Sequence, residues 1–205
     1  VNETPTISGL ASSITAAENQ TSVTTISASD PESASLSYSL SGTDAGFFSI
    51  SSAGVISFNV SSDYETKNSY TMTVNVSDGI NSNSQALTIN VSDVNETPIF
   101  TSLPSTVVVD ENTLSVVQVK TFDPENDQLT YALSGTDAAS FNVSTAGLIS
   151  FKASKDFENL ANNRFSITAT ISDASLSRSR NAYVMVKDVV ENQVGESVLG
   201  NSTLE

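Results

Sequence analysis

The residues of this 205-residue chain best equipped for chemistry are its 23 aspartates and glutamates, set against only 8 lysines and arginines for a formal net charge of −15. Most of these acids fall into two matching series. Glu18, Asp30-Pro31-Glu32, Asp63-Tyr64-Glu65, Asp78 and the segment Asp93 to Glu96 are answered by Glu111, Asp123-Pro124-Glu125, Asp156-Phe157-Glu158, Asp173 and the segment Asp188 to Glu191. Carboxylates gathered at one place repel each other unless a cation compensates them. A donor set made only of oxygen selects a hard ion, and Ca²⁺, with about six to eight oxygen ligands, suits it best. The chain has no Cys and no His, which excludes a zinc site, a thiol nucleophile and a Ser-His-Asp triad. Nucleic acid is not an expected partner, because phosphate binding needs a basic surface. Paired carboxylates can hydrolyse glycosides, but every candidate pair here belongs to the repeated series, so no enzyme is expected.

The acids repeat because the whole chain repeats. VNETPTI at Val1 to Ile7 recurs as VNETPIF at Val94 to Phe100, an offset of 93 residues. The same offset relates SYSLSGTDAGFFSI, from Ser37, to TYALSGTDAASFNV, from Thr130, and AGVISF at Ala53 to AGLISF at Ala146. A match of this length is a tandem duplication. Within each copy Tyr70, Met72, Val74 and Val76, or Phe165, Ile167, Ala169 and Ile171, alternate with polar residues, the period of a strand with one face buried. Leu87, Ile89 and Val91 continue the pattern after Asp78-Gly79, and no helical periodicity competes with it. The expected fold is all-β: two tandem seven-stranded Greek-key, immunoglobulin-like sandwiches. The expected boundaries are residues 1–93 and 100–190, with a linker over 94–99 and a polar tail over 191–205. None of the repeated acids lies on the apolar phase of a strand, so all are expected at loops and strand ends, at the tips of the sandwiches.

The repeated Glu18, the Asp-aromatic-Glu at Asp63 to Glu65, the D-x-N-E-x-P segment at Asp93 to Pro98 and the Asp-Pro-Glu at Asp123 to Glu125 resemble the calcium motifs of cadherin repeats. The LSGTDAxxF and GxISF stretches resemble the bacterial and dystroglycan-type cadherin-like branch. The resemblance covers both copies almost end to end. It implies cadherin-like sandwiches joined by a calcium-binding linker, with ligands from the base of one module, the linker and the top of the next. Carried over motif by motif, the first copy supplies Glu18, Asp63 and Glu65, the linker supplies Asn95, Glu96 and the Val94 carbonyl, and the second copy supplies Asp123, Glu125 and Asp173. Asp127 has no acidic counterpart in the first copy and is counted with them, while Asp93 stands between ligand and brace. Half sites remain at the outer ends: Asn2, Glu3, Asp30, Glu32 and Asp78 at one, Glu111, Asp156, Glu158 and Glu191 at the other. Departures from the family pattern are Glu96 and Glu125 in place of Asp, Thr97 in place of Asn, and Val190 in place of the second linker's Asn.

The function the resemblance implies is a calcium-stiffened module of an extracellular or cell-surface adhesin, part of a longer array, with neighbouring modules as its first partners. Homophilic contact or a homodimer is a further expectation, and Tyr183 and Met185, standing where the first copy has Thr88 and Asn90, mark an apolar outer face for it. The alternative is a polysaccharide-binding module, which the absence of Trp disfavours because sugars stack on exposed aromatic rings.

Overall fold

The computed structural model describes residues 1–190 and divides between Asn95 and Glu96 into two compact units. The expected tail over residues 191–205, and with it Glu191, lies outside the described residues. In the first module the strands are β1 (Thr6–Ser8), β2 (Ser13–Ala17), β3 (Ser22–Thr25), β4 (Ser27–Ser29), β5 (Ser37–Ser41), β6 (Phe48–Ile50), β7 (Val55–Phe58), β8 (Ser69–Ser77) and β9 (Ser82–Ser92). The second repeats them as β10 (Ile99–Ser102), β11 (Thr106–Asp110), β12 (Ser115–Gln118), β13 (Lys120–Phe122), β14 (Thr130–Ser134), β15 (Phe141–Val143), β16 (Leu148–Phe151), β17 (Arg164–Ser172) and β18 (Ser177–Lys187). Among the described residues no helix is long and apolar enough to cross a membrane.

Each module is two facing sheets. One has four strands, ordered β2-β9-β8-β5 in the first module and β11-β18-β17-β14 in the second. The other has three, ordered β3-β7-β6 and β12-β16-β15. The long hairpins β8–β9 and β17–β18 carry the alternation read from the sequence: Met72, Val74, Val76, Leu87 and Ile89 point inward in one, Ile167, Ile171, Val184 and Val186 in the other, and all are buried. Aromatic rings fill the space between the sheets. Phe48 and Phe58 lie 4.4 Å apart with Tyr70 set edge-on, and Phe141 and Phe151 lie 4.6 Å apart with Phe165 in the place of the tyrosine. Offset and edge-on rings of this kind satisfy the ring quadrupole while burying large apolar area.

The seven expected strands appear as nine segments because the first two are each broken. The first strand pairs antiparallel with β4 as β1, then changes layer to run parallel to β9 as β2. In the first module Gly9, at φ +70°, stands at the break, and in the second Pro104 does, where a missing N–H stops the ladder. Tight packing also fixes Gly54, at φ +78°: a Cβ there would lie 2.6 Å from the Ile26 carbonyl oxygen, so only glycine fits.

Candidate metal centres

At the lower end of the first module, Glu18 follows β2 directly and is only 3% exposed. A carboxylate this deep needs donors. Tyr64 N–H donates to Oε2 and Val94 N–H to Oε1, both at 2.7 Å. Glu18 therefore ties the Asp63–Glu65 loop to the chain leaving β9. Glu111 does the same in the second module, accepting from Phe157 N–H and Val189 N–H at 2.8 Å.

Around each latch further carboxylates converge. Oxygens of Glu18, Glu65 and Asp93 lie within 4.8 Å of one another, as do those of Glu111, Asp156 and Glu158. Among the described residues no lysine or arginine pairs with Glu18, Glu65 or Asp93; the two ion pairs join Lys67 to Asp44 and Lys187 to Asp110. The Glu65 carboxyl is pushed above its ordinary pKa by partial loss of solvent first, and then by the charges of Glu18, Asp93 and Asp63. For Glu158 its own backbone N–H acts downward, but a hydrogen bond with Asp156, partial loss of solvent and the charges of Glu111 and Asp188 outweigh it, and its pKa is raised.

The membership differs from the sequence expectation at one place. Asp63 lies outside the first group; its two oxygens accept from Thr66 N–H and Thr66 hydroxyl, both at 2.9 Å. Asp93 stands in the group instead.

The upper ends are built from the Asp-Pro-Glu turns. In the first module Asp30 Oδ1 accepts from Glu32 N–H and Ala34 N–H at 3.0 Å, with Ser33 in the left-handed region at φ 60°. Glu32 in turn accepts from Glu3 N–H at 3.0 Å. Asp78 Oδ1 accepts from Ile80 and Asn81 N–H groups, and its Oδ2 accepts from Asn2 at 2.8 Å. Those donors, Ile80 first, hold the Asp78 carboxyl below its ordinary pKa. The second module repeats the device: Asp123 Oδ1 accepts from Asp127 N–H at 3.0 Å, Glu125 from Glu96 N–H at 3.1 Å, and Asp173 Oδ1 from Ser175 and Leu176 N–H groups at 2.7 and 2.6 Å. Asp127, Asp123 and Asn126 line one cleft with Thr121 and Tyr131.

Each turn holds an aspartate oxygen with no donor among the described residues. Asp30 Oδ2 and Asp123 Oδ2 are buried without one, and Asp123 as a whole is 4% exposed. A buried carboxylate oxygen left bare is costly. Bare carboxylate oxygen is also what a hard cation requires, so the donor set fits Ca²⁺ by its chemistry.

One further repeated acid carries no role in the sequence expectation. Asp44, in the GTDA motif, is 6% exposed, accepts from Thr71 N–H at 2.8 Å and is paired with Lys67. The Lys67 ammonium, which also lies 4.7 Å from the centre of the Tyr70 ring, is the main reason the Asp44 carboxyl sits below its ordinary pKa. Asp137 keeps the backbone half of this arrangement, accepting from Ser166 N–H at 2.7 Å. The signal was the recurrence of this Asp at the same offset as the calcium-type acids.

Residues 12–92 match the family described as Cadherin domain. No curated protein sequence matches the chain. Among solved structures it is similar to mouse cadherin-23 EC22-24, at 26% identity and TM-score 0.57, over 90% of this chain and 65% of that one. It is also similar to Drosophila N-cadherin EC1-4, at 26% identity and TM-score 0.62, over 92% of this chain and 50% of that one. Human protocadherin-24 EC1-2 shares the fold, at 20% identity and TM-score 0.65, over 87% of this chain and 95% of that one.

Proposed function

The chain is cadherin-like, a tandem pair of β-sandwiches, and from that premise we propose that it is a calcium-stiffened segment of an extracellular or cell-surface adhesin. The observation that carries the reading is the bare, buried Asp123 Oδ2 at the top of the second module. The trio Glu18, Glu65 and Asp93 at the base of the first, with no lysine or arginine paired to it among the described residues, supports it. The ligand set is Glu18, Glu65, Asp93, the linker residues Val94, Asn95 and Glu96, and Asp123, Glu125, Asp127 and Asp173. Asp63, whose oxygens accept from Thr66, keeps free lone pairs as Glu18 does and joins them. Ca²⁺ bound there neutralises the acids and takes oxygens from both modules and the linker at once, which removes the freedom to bend.

The chain's own residues do the preparatory work. Glu18 holds the linker entry against the Asp63–Glu65 loop, and the Asp123 turn presents its second oxygen away from its own backbone donors. The outer half sites, Asn2, Glu3, Asp30, Glu32 and Asp78 at one end and Glu111, Asp156 and Glu158 at the other, serve neighbouring modules of a longer array. The boundaries follow as modules over residues 1–93 and 100–190. No catalytic role is assigned to any of these acids.

The test is to melt the chain, and to record small-angle scattering, in chelator and in increasing Ca²⁺, with Mg²⁺ as control. An ion that binds only the folded form adds about 2.7 kcal/mol at a hundredfold excess over its dissociation constant. A clear rise in melting temperature and a narrower distribution of inter-module distances are expected. If saturating Ca²⁺ moves neither, the assignment is wrong.

A further inference from the structure

The two modules share one architecture, and one surface sets them apart. Strand β11 is the edge of the four-stranded sheet of the second module, paired on one side only, in parallel, with β18. The bonds flanking that ladder fix its phase: Tyr183 N–H donates to the Ser105 carbonyl at 2.9 Å, and Glu111 N–H to the Lys187 carbonyl at 3.1 Å. In a parallel pair alternate residues bond to the same neighbour. The odd-numbered residues of β11 therefore face β18, and Thr106, Val108 and Asp110 aim their N–H and C=O groups at the free edge. An open edge of this kind is a template for another strand, and natural edges are usually blunted by Lys, Pro or a bulge. The sequence of β11, TVVVD, has no Lys, Pro or bulge, and the charge of its terminal Asp110 is met by Lys187.

At the centre of that edge the side chains are apolar, with Asp110 and Lys187 paired at one end and Arg164 lying over the Tyr183 ring. Val108 points outward and is 59% exposed, and Tyr183, on the neighbouring strand, is 38% exposed. Val108 stands opposite Met185 and Thr106 opposite Tyr183 in the register. The first module has the same edge in the same phase on β2, fixed by Thr88 N–H on the Ser12 carbonyl and Glu18 N–H on the Ser92 carbonyl. There the register sets Thr15 against Asn90 and Ser13 against Thr88, and Asn90 donates to the Ser13 hydroxyl at 3.0 Å. The centre of one edge is thus hydroxyl and amide, and that of its duplicate is Val, Met and Tyr.

We propose that β11 pairs antiparallel with β11 of a second copy of this chain about a two-fold axis at Val108. The strand is self-complementary in that arrangement. Val108, with both backbone groups outward, exchanges two hydrogen bonds with its own symmetry mate, and Thr106 meets Asp110 of the other copy. On the outer face the Met185–Val108 pair of each copy abuts the other's, making one continuous apolar stripe across the joined sheets. The charges agree with it. Asp110 already pairs with Lys187 at 2.9 Å, and two-fold pairing sets this neutralised end against the uncharged Thr106, so no like charges face each other in a chain whose net charge is −15. A closed two-fold contact stops at two copies. Five-residue strands bury less than a standard interface, so the dimer is weak, with a dissociation constant on the order of 10⁻⁴ M. It does not depend on the calcium reading.

The chain contains no cysteine, which gives a direct test. Residues opposite each other in a hydrogen-bonded antiparallel pair have Cα atoms about 5.5 Å apart, inside the range a disulfide bridges. The full chain carrying Val108→Cys, oxidised mildly in Ca²⁺, is expected to form covalent dimers at least about tenfold faster than the chain carrying Thr15→Cys, the matching edge position of the first module. Sedimentation equilibrium gives the second readout. The unmodified chain is expected to dimerise in the 10⁻⁴ M range, and Val108→Lys, whose side chain points to solvent and whose melting temperature checks the fold, to remain monomeric there. Equal cross-linking of the two cysteine variants, or a dimer unaffected by Val108→Lys, overturns the proposal. A chain monomeric at every concentration overturns it too and leaves the edge to a strand from a different protein.

Discussion

Glu18 is both a latch for its own module and a proposed ion ligand, and substitution separates the two roles. Its two oxygens each accept one backbone N–H at 2.7 Å. Hydrogen bonds to a charged acceptor contribute about 1.5–3 kcal/mol each. Val94 is exposed and its N–H regains water when the carboxylate is removed, so the low end of that range applies on that side, and relief of repulsion from Glu65 and Asp93 offsets a further part. Glu18→Ala is therefore expected to cost about 2–3 kcal/mol without any ion. In a module of this size that lowers the melting temperature by roughly 10–20 °C. Glu18→Gln keeps one acceptor oxygen and drops the charge but sets its amide NH2 against the other backbone N–H, so in chelator it is expected to lose about 1–2 kcal/mol, less than Glu18→Ala. The assay is a pair of melts for each variant, one in chelator and one in saturating Ca²⁺, followed by tyrosine fluorescence or calorimetry. The latch is refuted if Glu18→Ala melts within 2 °C of the parent in chelator, by the magnitude of such bonds. The ligand role is refuted if Glu18→Gln retains the full Ca²⁺-induced rise.

The bare oxygen of Asp123 makes the opposite prediction for the metal-free protein. Asp123→Asn retains the acceptor for Asp127 N–H and removes a buried charge, so in chelator the variant is expected to be as stable as the parent or more so, while its Ca²⁺-induced stabilisation is lost; a fall in metal-free stability of more than about 1 kcal/mol counts against an unmet ligand oxygen. Asp44 gives a pH signature. Its carboxyl is held below its ordinary value in the fold, chiefly by the hydrogen bond from Lys67 and then by Thr71 N–H, so the stability it contributes is complete above the unfolded-state pKa, about 4, and is lost as pH falls through the folded value. Melts of the parent and Asp44→Asn should differ by about 1–2 kcal/mol near pH 6, since Lys67 is partly exposed and reaches water when released, and should converge below pH 4. A difference constant with pH would show that the charge on Asp44 is not what stabilises.

The strands were legible because each long hairpin buries one face, so alternation in Tyr70 to Val76 and Phe165 to Ile171 reports the core directly. The division of the first strand between two layers was not, since it depends on Gly9 and Pro104 acting within a closed sandwich, and neither changes the hydrophobic period. The acids were legible as a set through their recurrence. Their individual bonding was less so: Asp63 and Glu65 read alike as a pair, yet Asp63 is engaged by Thr66, three residues on, a local turn that a Thr after an Asp permits anywhere. The sequence places Asp93 between brace and ligand, and only the folded chain brings it beside Glu18 and Glu65. The Glu18 latch was hidden for another reason. Its donors, Tyr64 and Val94, contribute backbone N–H groups, which every residue but proline owns and no sequence pattern marks.

That distinction bears on what loss of calcium does. In each module the deeply buried acid of the lower end, Glu18 or Glu111, spends both oxygens on its own backbone, so the lower loops are closed by bonds the protein makes alone. The oxygens left bare belong to the Asp-Pro-Glu turns, at the opposite end of each sandwich. Cores as complete as those around Ile56, Val74 and Ile89, or Ile149, Ile167 and Val184, do not need an ion to form. Chelation is therefore expected to free the junction and leave both sandwiches folded, with their far-ultraviolet signature intact. The repulsion among Glu18, Glu65 and Asp93 then persists within a native module, screened by salt over about 8–10 Å. Added salt should accordingly recover part of the metal-free stability, and more of it in the parent than in Glu18→Gln, where one of the three charges is gone.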